Sequence, residues 1–344
     1  MRKKGVIGIV IVIGIALGLI CLLVFYQSNV ILNQPRKARY YVVLYPYGFN
    51  HMTSLNQTEF LEHLDIVVDI GFDGVALHNT ECFYDEKLLD WAISECQNRN
   101  LDVLILIQYF NRSYNFPFPT EAWERRGFIT SDSDLALYGA YLKNVSQITA
   151  VYPNVKGYIF HYPFNASDWD FWIEQIKTYN YTYRLQYLVN CLKNGKPIYM
   201  SAELWGGLNS ISDVYEYLPK NSLNNVDGFA LQGYNTVMDD IQFDFVLELK
   251  NYWKKYFDEI HIGEFGYRTW LNQTYTHGLA SSEQSKANMI KEFIRKTWDW
   301  NSFVCYFGLT DFPPEGMDYG IIYNNQTLKP SAYAFKETLK NETS

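Results

Sequence analysis

Glu259-Ile260-His261-Ile262-Gly263-Glu264-Phe265-Gly266-Tyr267 reads as a short apolar strand that ends in a carboxylate held between two glycines. It lies about three quarters of the way along the chain, where the seventh strand of an eight-strand barrel falls. In such a barrel the carboxyl ends of the strands carry the chemistry, which makes Glu264 a candidate nucleophile. A glutamate that merely caps a strand has the same local signature, so the rest of the chain has to decide.

Outward from this stretch, apolar runs of strand length alternate with segments of helical period. Strands are predicted at Tyr40 to Tyr45, Gly74 to His78, Leu101 to Tyr109, Val155 to His161, Pro197 to Glu203, Val226 to Gly233, Glu259 to Gly263 and Phe303 to Leu309. The third run is almost wholly apolar, as expected of a parallel strand buried on both faces. Between them, Thr58 to Ile70 turns Leu61, Leu64, Ile66, Val67 and Val68 inward as a helix. Leu88, Leu89 and Ile93 mark a second helix, 135 to 150 a third, and Met289, Ile290, Phe293 and Ile294 another before the last strand. Eight strands with helical connections define a (β/α)8 TIM barrel over residues 40–338, with a tail at 339–344.

The chain resembles the clan of retaining (β/α)8-barrel glycoside hydrolases that includes cellulases, β-mannanases and β-galactosidases. Ile262-Gly263-Glu264-Phe265-Gly266 is similar to the clan's seventh-strand nucleophile segment. The run from Ser282 to Trp298, followed by Phe303 to Phe307, Asp311, Tyr319 to Ile322 and Lys329 to Tyr333, is similar to its eighth-strand region and closing helix. Leu137 to Gly157 resembles its approach to the fourth strand. The resemblance implies a Glu after an Asn at the end of the fourth strand as general acid/base. Here His161-Tyr162-Pro163 stands at that place, so the proton donor is missing from its family position.

Retaining hydrolysis needs two carboxyls about 5 to 5.5 Å apart, one attacking the anomeric carbon and one protonating the leaving oxygen. Loss of the donor costs ~10² to 10⁴ in rate. Glu203, at the end of the fifth strand beside Trp205, is the first substitute, while Glu81, Asp168, Asp170 and Asp311 are weaker ones. Tyr234, ending the sixth strand, is placed to donate to Glu264 and keep it ionised. Trp205, Trp270 and Phe307 are candidate stacking surfaces for sugar rings. His78, Asn79, His161, Tyr162 and Asp311 are candidate hydroxyl partners, and a hydrogen-bonded rim histidine is the plainer reading of His161.

The first residues follow different rules. After Arg2, Lys3 and Lys4, residues 5–25 form an uncharged run rich in Ile, Val, Leu and Gly. As a helix it spans roughly 30 Å, one bilayer's hydrocarbon thickness. It reads as one uncleaved N-terminal transmembrane anchor, with 1–4 as a cytoplasmic stub and 26–39 as a linker. Basic residues on both flanks leave orientation open. Eight Asn-x-Ser/Thr sequons, at Asn56, Asn111, Asn144, Asn165, Asn180, Asn272, Asn325 and Asn341, tip it. With 27 Asn and 35 Ser plus Thr in 344 residues, chance gives about three, so the excess points to a glycosylated exterior domain.

A net charge of -8 without a basic stripe argues against nucleic acid as a partner. Aromatics make up 17% of the chain, which suits a sugar-facing cleft, although most such rings serve packing. Cys82, Cys96, Cys191 and Cys305 show no metal-ligand spacing, and no metal or cofactor is expected. The same observation argues against a metal-dependent deacetylase. Two readings stand: a membrane-anchored extracellular glycosidase acting on a poly- or oligosaccharide, and an inactive barrel that binds surface glycans.

Overall fold

The computed structural model describes residues 37–44, 57–78, 86–108, 132–162, 181–202, 226–232, 243–267, 269, 282–311, 319–323 and 325–340. Eight strands close into a barrel in chain order, each hydrogen-bonded in parallel to the next and β8 to β1. They are β1 (Arg39–Leu44), β2 (Gly74–His78), β3 (Asp102–Gln108), β4 (Val155–Tyr162), β5 (Ile198–Ala202), β6 (Gly228–Gln232), β7 (Glu259–Phe265) and β8 (Phe303–Tyr306). The described helices are α1 (Gln57–Ile70), α2 (Glu86–Asn98), α3 (Asp132–Ala150), α4 (Tyr181–Leu192), α5 (Phe243–Trp253), α6 (Glu283–Thr297) and α7 (Pro330–Lys340). This is the expected (β/α)8 barrel. Residues 1–36, with the proposed anchor, lie outside the described set, and among the described residues no helix is long and apolar enough to cross a membrane.

Two apolar clusters follow from strand alternation. The inner one fills the barrel with Tyr41, Val43, Ala76, Leu104, Leu106, Ile159, Tyr199, Ala230, Phe303 and Cys305. The outer one packs the intervening strand positions against the helices. On α1 the buried stripe is Phe60, Leu64, Val67 and Ile70, while Val68, expected inward, is 42% exposed. Four residues at that spacing already cover the strand side, and Val68 falls just off the stripe.

Helix α6 begins where Ser282 Oγ accepts from the Ser285 amide, and it buries Ile290, Phe293 and Ile294. The closing helix α7 brings Phe335 to 5.0 Å from the Tyr306 ring and 4.9 Å from Phe72. Cys96, Cys191 and Cys305 are buried free thiols, so Cys191 and Cys305 do not pair.

The amino-terminal end of the barrel is plugged by aromatic rings. His261 stacks on Phe303 at 4.1 Å and meets the edge of Tyr199 at 4.6 Å. Its Nδ1 accepts from the Phe303 amide at 3.2 Å, which leaves the proton on Nε2, 3.4 Å from Glu259. Burial, aided by the Lys250 charge, pushes its pKa down to about 3. The native state therefore refuses a proton that the unfolded chain accepts below about pH 6.5. This part of the stability is whole above that pH and is lost as pH falls towards 3. Going from pH 6.5 to 5, His261 alone should remove about 2 kcal/mol, at 1.36 kcal/mol per unit. Urea unfolding of a His261→Gln variant should show a shallower acid decline than the parent. Equal declines would mean that this imidazole does not control it.

Candidate active site

Strand parity alone would turn Glu264 away from the barrel. On β7, Ile260 and Ile262 face the helices, and two residues on Glu264 would follow them. The register prevents this. Against β6, Leu231 pairs with Ile262 but Gln232 with Glu264; against β8, Val304 pairs with Ile262 but Tyr306 with Phe265. Strand β7 thus carries one extra residue relative to both neighbours, a β-bulge at Gly263-Glu264. Phe265 returns to the helix side, where it stacks on Phe293 at 4.2 Å. Glu264 is left half-buried at the carboxyl end of the barrel.

Glycine is required at the turn of this bulge because the wall is close. A Cβ built on Gly263 would lie 2.8 Å from Ala230 Cβ and 3.2 Å from its carbonyl oxygen. Beside it, Gln232 Nε2 donates to Glu264 Oε2 at 3.2 Å, and Gln232 is 4% exposed. A buried amide donor on a carboxylate favours the charged form and fixes its orientation. Below them sits Cys305, whose thiol is held well above its ordinary pKa, first by burial and then by the negative charge of Glu264. A neutral thiol and small side chains floor the carboxylate without competing for protons.

The other candidates are placed unevenly. Phe307 follows β8, donates its amide to Phe265 O at 2.7 Å, and lies edge-on to Tyr319 at 5.4 Å. It is half-buried beside the β7 end. Asp311 is engaged by the closing segment, with Lys329 Nζ 2.5 Å from its Oδ2. Lys329 also lies 3.9 Å from Glu283, which accepts from Thr269 and Ser331. This ion-pair group ties the β8 connection to the starts of α6 and α7. Asp311 enters that group through Oδ2, while its Oδ1 is buried with no hydrogen-bond partner among the described residues.

His78, His161 and Tyr162 lie on described backbone, with position 161 in register with 108 and 201, but their side chains are outside the described set. Asn79, Glu81, Asp168, Asp170, Glu203, Trp205, Tyr234 and Trp270 lie outside the described residues. Strand β5 is described to Ala202, and the expected Glu203 follows it in the chain outside the described residues. Among the described residues no cluster of His, Cys, Asp or Glu is arranged to hold a metal ion. Gln232 escaped the reading of the sequence, which favoured its neighbour Tyr234. Continued alternation from Ala230, a small inward residue, was the signal that marked it.

No protein-family model and no curated protein sequence matches the chain. Solved structures do match in fold. GH5_18 from Streptomyces cattleya, in complex with GlcNAc, aligns with a TM-score of 0.61 at 15% identity, covering 90% of this chain and 81% of that one. Native xylanase 10B from Thermotoga maritima aligns at 0.59 and 14% identity, over 92% of this chain and 98% of its own. A β-glucuronidase from an uncultured Clostridium aligns at 0.59 and 12% identity, over 90% of this chain and 51% of that one. At such identities the likeness is one of fold. The chain has a closed parallel eight-strand barrel, the fold it shares with these three structures.

The bulge makes a stability prediction independent of activity. Gly263→Ala should destabilise the barrel by about 1 to 3 kcal/mol, the usual cost of forcing a methyl into a packed wall. Ala230→Gly removes the nearest obstructing atom, so the double variant should be more stable than the sum of the single losses. Strict additivity in urea unfolding would mean that the two positions are not in contact.

Proposed function

We propose that this chain is a membrane-tethered extracellular glycoside hydrolase that acts on a poly- or oligosaccharide by a retaining mechanism. The observation that carries the reading is the β7 bulge, which brings Glu264 round to the barrel side at the carboxyl end and sets the Gln232 amide against it. In this reading Glu264 attacks the anomeric carbon and forms the glycosyl-enzyme bond, and water later breaks it. Gln232 holds the attacking oxygen's partner in place, with Tyr234 as a second donor. Phe307 offers an apolar face at the rim. The reaction draws on no cofactor.

The proton for the leaving oxygen comes from elsewhere than the fourth strand, where His161-Tyr162-Pro163 carries no carboxyl. Glu203, immediately after β5 and one strand over from β4, is the proposed donor. The apolar run at 5–25 supports the anchor, and the excess of sequons supports an exterior barrel. The same missing carboxyl favours a second reading, in which the barrel holds surface glycans without cutting them.

Glu264→Gln keeps the shape and removes the nucleophilic charge, so turnover of aryl glycosides should disappear while the unfolding midpoint stays near that of the parent. Undiminished turnover would remove Glu264 from the mechanism. Glu203→Gln should slow poor leaving groups by ~10² or more and spare activated aryl glycosides, which depart without a proton. A glycan array on which sugars bind and none is cut would decide for the second reading.

A further inference from the structure

Of the eight sequons, the described side chains allow two to be compared. Asn144 lies within α3, half-buried, and its sequon hydroxyl is spent: Ser146 is 6% exposed and donates Oγ to Leu192 O at 3.2 Å. Asn325 is the opposite case. It stands on an exposed hairpin closed by the bridge between Ile322 and Leu328. Tyr323 donates its amide to Thr327 O at 2.9 Å, and Gln326 donates its amide to Tyr323 O at 2.8 Å. Gln326 takes a left-handed φ of 64°, and its side-chain amide donates to Glu62 Oε2 on α1 at 2.6 Å, pinning the tip to the barrel.

Within this hairpin Asn325 Oδ1 accepts from the Thr327 hydroxyl at 2.6 Å and from the Thr327 amide at 3.2 Å. The sequon is thus folded on itself, with its hydroxyl turned to the acceptor residue rather than to the core. Both bonds fall on the carbonyl oxygen, so the Nδ2 amide is left without a hydrogen-bond partner among the described residues. Hydrogen bonds to that oxygen draw density from the amide and make its protons more acidic, as transfer to nitrogen requires.

We propose that Asn325 is an N-glycosylation site, taking an oligosaccharide from a polyprenyl-diphosphate donor. The inference rests on the exterior placement of the barrel. In the transfer, Asn325 Nδ2 loses a proton and bonds to the anomeric carbon of the first sugar. The bond from that carbon to the diphosphate oxygen breaks, and the diphosphate leaves with the electron pair while a base of the transferase takes the proton. The attached sugar projects from the hairpin into solvent without disturbing the Gln326 to Glu62 bond.

The full chain, expressed in a eukaryotic secretory host, tests this by glycopeptide mass spectrometry with amidase release in heavy-oxygen water, which marks each occupied Asn. Asn325 should carry the mark. Asn325→Gln and Thr327→Ala should each remove one glycan's mass and leave the unfolding midpoint unchanged, and Thr327→Ser should retain it. A bare Asn325 beside glycans at other sequons overturns the assignment and leaves the exterior reading standing. A chain carrying no glycan at any sequon overturns both.

Discussion

One residue more in β7 than in either neighbour decides what this barrel presents at its carboxyl end. Parallel strands fix side-chain direction with a period of two, and a carboxylate two positions after Ile262 belongs by that rule to the helix side. There it would be an unpaired charge between Phe293 and Phe335, which packing could not tolerate. The bulge absorbs the conflict by letting Phe265 take the apolar position and turning Glu264 round. It exists because Gly263 can lie against Ala230, where a Cβ would come within 2.8 Å. Strand register, a glycine and a small neighbour therefore act as one device.

The remaining architecture supports that device from both ends of the barrel. At the amino end, the stacked rings of His261, Phe303 and Tyr199 replace water with a rigid plug. At the carboxyl end, the Lys329 ion pairs with Asp311 and Glu283 secure the segment that follows β8, and Phe307 with it. A carboxylate at that end has a donor in Gln232 and an apolar floor in Cys305, which suits an attacking anion better than a purely structural one.

Much of this was legible in the sequence, for a definite reason. Parallel strands covered on both faces are runs such as Val103 to Ile107, and their order and number follow from composition alone. What depends on a partner strand was not legible. The bulge requires knowing that Ala230 lies beside Gly263, and Gln232 could be ranked above Tyr234 only once β6 was set in register with β7. Val68 misled because a helical stripe has edges that hydrophobicity does not mark. The pairing of Asp311 with Lys329, eighteen positions later, was equally hidden. The shortened end of β8 has the same origin, since its pairing with β1 and β7 runs no further than Tyr306.

The account stands on the claim that the oxygen delivered by the bulge forms a covalent bond to sugar. Fluorine at C2 of a glycoside withdraws electrons from the oxocarbenium-like transition states of both steps, and an activated leaving group restores only the first, so the glycosyl-enzyme accumulates. The most direct measurement is peptide mapping by mass spectrometry after incubation with a panel of activated 2-deoxy-2-fluoro glycosides. The account predicts one fluorosugar on the peptide containing Glu264. A label on any other side chain, or sugars that bind the barrel and leave no label, would contradict it.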